Sequence, residues 1–387
     1  MDSDKSPLAL YVHWPFCVSK CPYCDFNSHV RADVDQQQWR DALLADLAHE
    51  ARALPGRTLG SIFFGGGTPS LMPPATVAAI LDAAQRHWAP AADIEITLEA
   101  NPSSVEAARF ADLAAAGVNR VSLGLQALDD RALRFLDRAH DAAEGLGALA
   151  TAQRHFGRVS IDLIYALPDQ SLAAWQAELA RALALGTEHL SLYQLTIEPG
   201  TRFATEAAKG RLVIPDGDAA ADLFEMTRAM TAAAGLPAYE TSNHARPGAE
   251  SRHNLTYWRY GDYAGVGPGA HGRRDGLATQ RHKKPENWLA AVARNGHGLQ
   301  IEEPLAPHDR ASEALVMGLR LAEGVDLAHV ASVAGGTAPI DWPQVARLAA
   351  QGLIAHEGDR LRVTEAGALL LDAILPLVVL DAPLLPA

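Results

Sequence analysis

The chain has 387 residues, 46 acidic against 33 basic, and a net charge of −13, which argues against a nucleic-acid binder, since those present a basic face. At 48% hydrophobic and 20% charged it has the composition of a folded globular chain, and its length suggests about two domains. It holds three cysteines, all within eight residues, and a chain this size buries its core without disulfides. The cysteines therefore point to chemistry.

In chain order, the start from Met1 to Pro7 is polar and lacks the charged-then-apolar pattern of a leader. The longest apolar run, Ala366–Leu380, contains Asp372 and Pro376 and is too short to span a bilayer. A cytoplasmic protein with reduced thiols is expected. Between these ends, β-rich runs recur at Leu8–Trp14, Ser61–Phe64, Ile94–Leu98, Arg120–Leu123, Ser160–Tyr165 and His189–Leu195. Amphipathic helical stretches separate them, among them Gln36–Leu54, Pro74–Trp88, Val105–Ala116 and Leu172–Leu185. Strands alternating with helices predict βαβ units and a parallel sheet.

The strand ends choose between the two α/β architectures. The first run leads into Cys17–Cys24, the second into Gly65-Gly66-Gly67-Thr68-Pro69, and the third into Glu99-Ala100-Asn101-Pro102. The fourth ends in Gly124-Leu125-Gln126, the fifth carries Asp162, and the sixth runs into Gln194–Pro199. Polar residues at every carboxyl end describe one shared face, as barrels have. A doubly wound sheet would gather them at one switch point. The predicted fold is α/β, a partial (β/α)6 TIM-like barrel over residues 1–236.

Residues 237–303 are rich in Gly, His, Tyr and Trp without clear βα alternation and read as an extension. Residues 304–387 return to a helical pattern, with a hairpin at Leu353–His356 and Leu361–Val363 and a helix from Thr364. That order resembles a mainly helical winged-helix module. From 301 onward there are 12 acidic and 5 basic residues, so the module would repel DNA phosphates and reads as a protein–protein or lid element.

Cys17-Val18-Ser19-Lys20-Cys21-Pro22-Tyr23-Cys24 is a C-x3-C-x2-C loop after a strand. Three thiolates can ligate three irons of a cubane cluster and leave the fourth open to a ligand. The alternatives are zinc, with His13 or His29 as fourth ligand, and a plain cluster of buried thiols. The loop, with an aromatic just before its last cysteine, resembles the radical S-adenosylmethionine (SAM) superfamily. Tyr11–Cys17, Gly65–Ser70, Glu99–Pro102, Gly124–Gln126 and Ile161–Pro168 narrow the resemblance to the oxygen-independent coproporphyrinogen III oxidase group, over nearly the whole chain.

The resemblance implies a 4Fe-4S cluster on Cys17, Cys21 and Cys24, with SAM chelating the open iron and cleaved to a 5′-deoxyadenosyl radical. Gly66, Gly67 and Thr68 match the loop beside the methionine part. Glu99, Gln126, Arg138 and Asp162 match positions that hold its carboxylate, ribose and methionine groups, and Tyr11 matches the aromatic beside the cluster.

Two departures separate the chain from the oxidase. Phe26 stands where the oxidase pattern has a fourth cysteine, and only 16 residues precede Cys17, where the oxidase has a longer arm. Both match the HemW branch, considered haem chaperones. His253-Asn254-Leu255-Thr256-Tyr257-Trp258 matches the H-N-x-x-Y-W word associated there with haem, which makes His253 the expected ligand, with His244 and His271 as alternatives. Arg273, Arg274, Arg281, Lys283 and Lys284 are expected to meet haem propionates. Implied partners are haem, haem-accepting respiratory proteins and an electron donor, with no nucleic acid. Transient membrane association and a homodimer are compatible with the resemblance. Oxidative decarboxylation of coproporphyrinogen III stands as the enzymatic alternative. A zinc-stabilised binding module is the third reading.

Overall fold

The computed structural model describes residues 6–31 and 33–380, so the polar start at Met1–Lys5 and the chain beyond Leu380 lie outside the described residues. Six strands take the predicted places: β1 Leu8–Trp14, β2 Thr58–Gly66, β3 Ala89–Ala100, β4 Arg120–Gln126, β5 Arg158–Tyr165 and β6 His189–Gln194. Each pairs in parallel with the next. On β1, Leu8, Leu10, Val12 and Trp14 join the core under the helices, while Tyr11 and His13 line an interior cavity. Such two-sided burial is what a parallel sheet flanked by helices imposes.

The connecting helices start where short polar side chains cap them. Asp35 accepts from the Gln38 amide ahead of Gln36–Ala53, and Ser171 accepts from Ala174 ahead of Leu172–Leu183. Pro74 opens Pro74–His87, where its missing N–H costs nothing. The single helix predicted at 105–116 is instead two, Ser104–Ala107 and Phe110–Ala115. The first turn is claimed by Glu106, which points inward to accept from the Ser70 hydroxyl and, at 2.8 Å, from the Asn101 amide.

The segment without evident alternation extends the same sheet at both edges. β7 Asn243–Ala245 runs antiparallel to β6. β8 Tyr263–Val266 adds in parallel to the free side of β1, and β9 His271–Arg274, β10 Leu277–Arg281 and β11 Leu299–Pro304 follow antiparallel. The order is β11-β10-β9-β8-β1-β2-β3-β4-β5-β6-β7.

This added edge is anchored by Asp46 on the first helix. Its fully buried carboxylate accepts from Arg281 Nε at 3.0 Å, Gly267 N at 3.1 Å, Gly298 N at 3.0 Å and Trp288 Nε1 at 3.2 Å. Burial alone would raise its pKa, but Arg281 and the amide donors hold it below the usual value.

The C-terminal module has its own core, formed by residues such as Leu315, Val330, Val345, Leu361 and Ile374. Helices Pro307–Gly318, Leu327–Ala334 and Trp342–Ala350 precede the hairpin Ile354–Glu357/Arg360–Val363, and Val325–Asp326 adds a third strand. The final helix forms only at Leu371–Val378, after a single 3-10 turn at Ala368–Leu370, later than Thr364. No helix among the described residues is long and apolar enough to cross a membrane.

Candidate functional site

The cysteine loop leaves β1 through Pro15 and is held at its base by the pairing of Phe16–Cys17 with His29–Val30. All three cysteines are half-buried, and burial pushes the Cys17 and Cys24 thiols up. A bound metal reverses that, because a coordinating thiol is deprotonated.

The glycine loop at the end of β2 lies directly against this segment. Gly67 N donates to Trp14 O at 2.7 Å and Thr68 N to Phe16 O at 2.8 Å. A Cβ on Gly66, whose φ is +115°, would sit 2.6 Å from the His13 ring, and one on Gly67 2.7 Å from Phe16 O. The glycines are thus required first by the protein's own close packing.

Two cysteine sulfurs carry hydrogen-bond donors. Thr68 Oγ1 donates to Cys17 Sγ at 3.4 Å, and Arg138 Nη1 donates to Cys21 Sγ at 3.4 Å. Asn101 joins the two, donating to Thr68 Oγ1 at 3.1 Å and accepting from Arg138 Nη2 at 2.6 Å. Arg138 also donates to Gly124 O, while its buried Nε has no partner.

Deeper in the barrel lie two partly buried carboxyls. Glu99 accepts from Gly66 N at 3.2 Å, and burial, then the nearby Asp162, pushes its pKa up to about 8. Asp162 accepts from Ser122 Oγ at 3.0 Å and is also raised by burial. Gln126 adopts a left-handed φ of +65°, and its amide comes so close to Gly124 that a Cβ there would lie 2.8 Å from it. Strain of this kind in a non-glycine residue is held only where the surroundings fix it.

One cavity of ≈ 630 Å³ joins Gly66 and Glu99 to Tyr11, His253, His271 and Phe26, while the cysteines, Gln126 and Asp162 are not part of its lining. Ser251 caps the short helix Arg252–Trp258 that carries His253. The imidazole stacks on Phe63 at 4.8 Å and on Tyr11 at 5.9 Å. Burial lowers its pKa to about 3, so it is neutral, and its Nδ1 has no hydrogen-bond partner. Tyr257 also lines the cavity, with Trp258 packed against it at 4.9 Å.

Several expectations need correction. Arg273 is paired with Glu313, Arg274 with Glu50 and Glu302, and Arg281 with Asp46 and Glu50, so these three are already neutralised within the protein. Lys283 does line the cavity, and Lys20 of the cysteine loop joins it. His244 is buried on β7 and bonded to Thr231, away from the cavity lining. His13 offers no free nitrogen for zinc: Nε2–H donates to Asn27 O at 2.9 Å, and Nδ1 accepts from the Tyr11 hydroxyl at 2.9 Å.

Sequence reasoning missed Asn101, Lys20 and Met317, the last a cavity residue supplied by the C-terminal module. It also missed why Gly265, Gly267 and Gly269 precede His271. A Cβ on Gly265 would lie 1.9 Å from His271 O, and one on Gly269 2.4 Å from Asn27. The repeated glycines bring His271 over the cavity.

The barrel with its three-cysteine loop, glycine loop and C-terminal module defines a radical SAM protein of the coproporphyrinogen-oxidase type. The Radical SAM superfamily model matches residues 11–181 and the HemN C-terminal domain model residues 305–370. "Heme chaperone HemW" of Escherichia coli is 40% identical over 96% of this chain and 98% of its own length. The bovine "Radical S-adenosyl methionine domain-containing protein 1, mitochondrial" is 42% identical over 95% of this chain and 86% of its own. The solved structure of coproporphyrinogen III oxidase (HemN) from Escherichia coli superposes with a TM-score of 0.80, at 25% identity, over 96% of this chain and 89% of that one. The chain belongs to the HemW family of the radical SAM superfamily.

Proposed function

We propose that this protein is a haem carrier built on the radical SAM fold, binding a 4Fe-4S cluster, SAM and haem, and passing haem to acceptor proteins. The observation that carries the reading is the neutral His253 imidazole, buried and unpartnered at Nδ1, on the wall of the cavity that also reaches Gly66 and Glu99. Neutral imidazole is a standard axial ligand of haem iron, and the stacked rings of Tyr11 and Phe63 fix its orientation. His271, Lys20, Lys283 and Met317 complete a lining that suits a flat apolar ring with acidic edges.

The residues also suit the cluster and SAM. Cys17, Cys21 and Cys24 would hold the cluster, and Thr68 and Arg138 donate to two of their sulfurs. When bound, the cluster supplies an open iron site and one electron for SAM. Glu99, Asp162, Gln126 and the glycine loop meet the SAM groups, and Glu99, which burial keeps protonated up to about 8 in the free protein, gives up its proton as the positive charge of SAM arrives. The reading places the protein in the cytoplasm, meeting an electron donor and its haem acceptors transiently.

Haem titration followed by Soret absorbance tests this reading in the cluster-loaded protein. His253→Ala should abolish most of the haem shift while the iron–sulfur absorbance stays. Unchanged haem affinity would remove His253 from the account.

The oxidase is the second reading, favoured by the full-length likeness to that structure. Against it, Phe26 replaces the extra cysteine and sits 60% exposed at the cavity mouth. Incubation of the reduced, SAM-loaded protein with coproporphyrinogen III decides: product at a turnover rate would favour the oxidase.

A further inference from the structure

The cysteine loop and the barrel are tied by one hydrogen-bonded chain that runs from sulfur to sulfur. It passes from Cys17 Sγ to Thr68 Oγ1, then Asn101, then Arg138, and ends on Cys21 Sγ. Asn101 is the only joint of this chain with both its amide oxygen and its amide nitrogen engaged in it. Its backbone is fixed in turn, because its N–H donates to the buried carboxyl of Glu106, which also accepts from Ser70 just past the glycine loop. The joint therefore has little freedom to move.

We propose that Asn101 is a positioning residue that sets the reduction potential of the cluster, acting through Thr68 and Arg138 on two ligating sulfurs. The proposal rests on Cys17, Cys21 and Cys24 holding the cluster. Hydrogen bonds and positive charge near the sulfurs stabilise the more negative, reduced state of an iron–sulfur cluster and raise its potential. Without the Asn101 amide, Thr68 loses the donor that orients its hydroxyl toward Cys17. Arg138 loses its shortest contact, at 2.6 Å, and keeps Gly124 O at 3.1 Å, so its guanidinium is held less firmly at Cys21. Both losses act in the same direction, so they add rather than cancel.

The test compares wild type, Asn101→Leu, Asn101→Ala and Thr68→Val after anaerobic reconstitution, with iron content, redox titration and the EPR signal of the reduced cluster as readouts. The expected result is full iron content with a more negative potential in both Asn101 variants, by more than Thr68→Val alone produces. In the double variant Asn101→Ala with Thr68→Val, the shifts should fall short of additivity, because the two residues share one path. A potential equal to wild type in a fully loaded Asn101 variant would overturn the proposal. So would failure of both variants to load iron with the apo fold intact by circular dichroism, since Asn101 would then serve assembly. Loss of the cluster in wild-type protein itself would instead refute the underlying cysteine assignment.

Discussion

His253 lies on the ring of Phe63, centroids 4.8 Å apart and planes 26° from parallel, so a residue of the late helix Arg252–Trp258 is clamped to the second barrel strand. The contact gives His253 two separable roles, packing and ligation. His253→Phe keeps the stack and removes the nitrogens, whereas His253→Ala removes both. We expect His253→Phe to lose haem binding with thermal stability near wild type, and His253→Ala to lose haem binding and about 1–3 kcal/mol of stability. Parallel Soret titrations and urea unfolding of the two variants check this, and haem binding retained by His253→Phe would assign the iron to another ligand.

Glu99 links the site to pH. Its carboxyl ionises near 4.5 in the unfolded chain but holds its proton up to about 8 when folded, because burial and Asp162 oppose the charge. The folded state thus binds more protons between those values, and the stability of the ligand-free protein should fall as pH rises across that window. Glu99→Gln should flatten that slope. A cationic ligand arriving beside Glu99 lowers its pKa, so SAM binding near pH 7 should release a proton. Calorimetry in buffers of different ionisation enthalpy reads this directly, and the buffer dependence should vanish in Glu99→Gln.

Much of this was legible in the sequence because the signals were local. The six strands showed as short β-rich runs, and the cysteine, glycine and Glu99 words each sit at the end of one strand, where the barrel brings them together. Asn101 lay inside one of those words yet gave no sign of its role, since its partners Thr68 and Arg138 are 33 and 37 residues away. The strands β8 and β9 escaped because Gly265, Gly267, Gly269 and Gly272 interrupt any alternation. Those glycines answer to tertiary contacts with His271, His13, Asn27 and Thr279 that no periodicity encodes. The basic run from Arg273 to Lys284 misled for the same reason: Glu50, Asp46 and Glu313, which neutralise its arginines, lie far away in sequence.

Asp46 is the stability prediction that follows from that hidden charge. Its carboxylate faces the fully buried Arg281 and holds the loops at Gly267 and Gly298. Asp46→Asn keeps the shape but strips the charge, leaving Arg281 with Glu50 alone. We expect a loss of about 3 kcal/mol, since removing one carboxylate of a buried ion-pair network leaves the guanidinium only partly compensated. Because the folded pKa of Asp46 lies below its usual 3.8, its contribution is complete above that pH and is lost as pH falls through the lowered value. Urea midpoints for both proteins from pH 3 to pH 7 should therefore draw closer toward the acid end. A constant gap across the range would mean that charge is not what Asp46 contributes.

Haem and SAM should compete. Gly66 and Glu99, on the proposed SAM side, and His253 and Tyr257, on the proposed haem side, line one cavity of ≈ 630 Å³. Two ligands that share such a space exclude one another in part, and linkage requires that each weaken the other by the same factor, roughly 5–150-fold for a typical coupling. Saturating SAM should therefore raise the haem Kd, and bound haem should raise the SAM Kd equally. Soret titration with and without SAM gives one side, and calorimetry with and without haem gives the other. His253→Phe should relieve the effect on SAM, because haem no longer enters. Independent affinities would place haem away from Gly66 and Glu99 and leave the exposed rim of the cavity, with Phe26 and Lys20, as the surface to probe next.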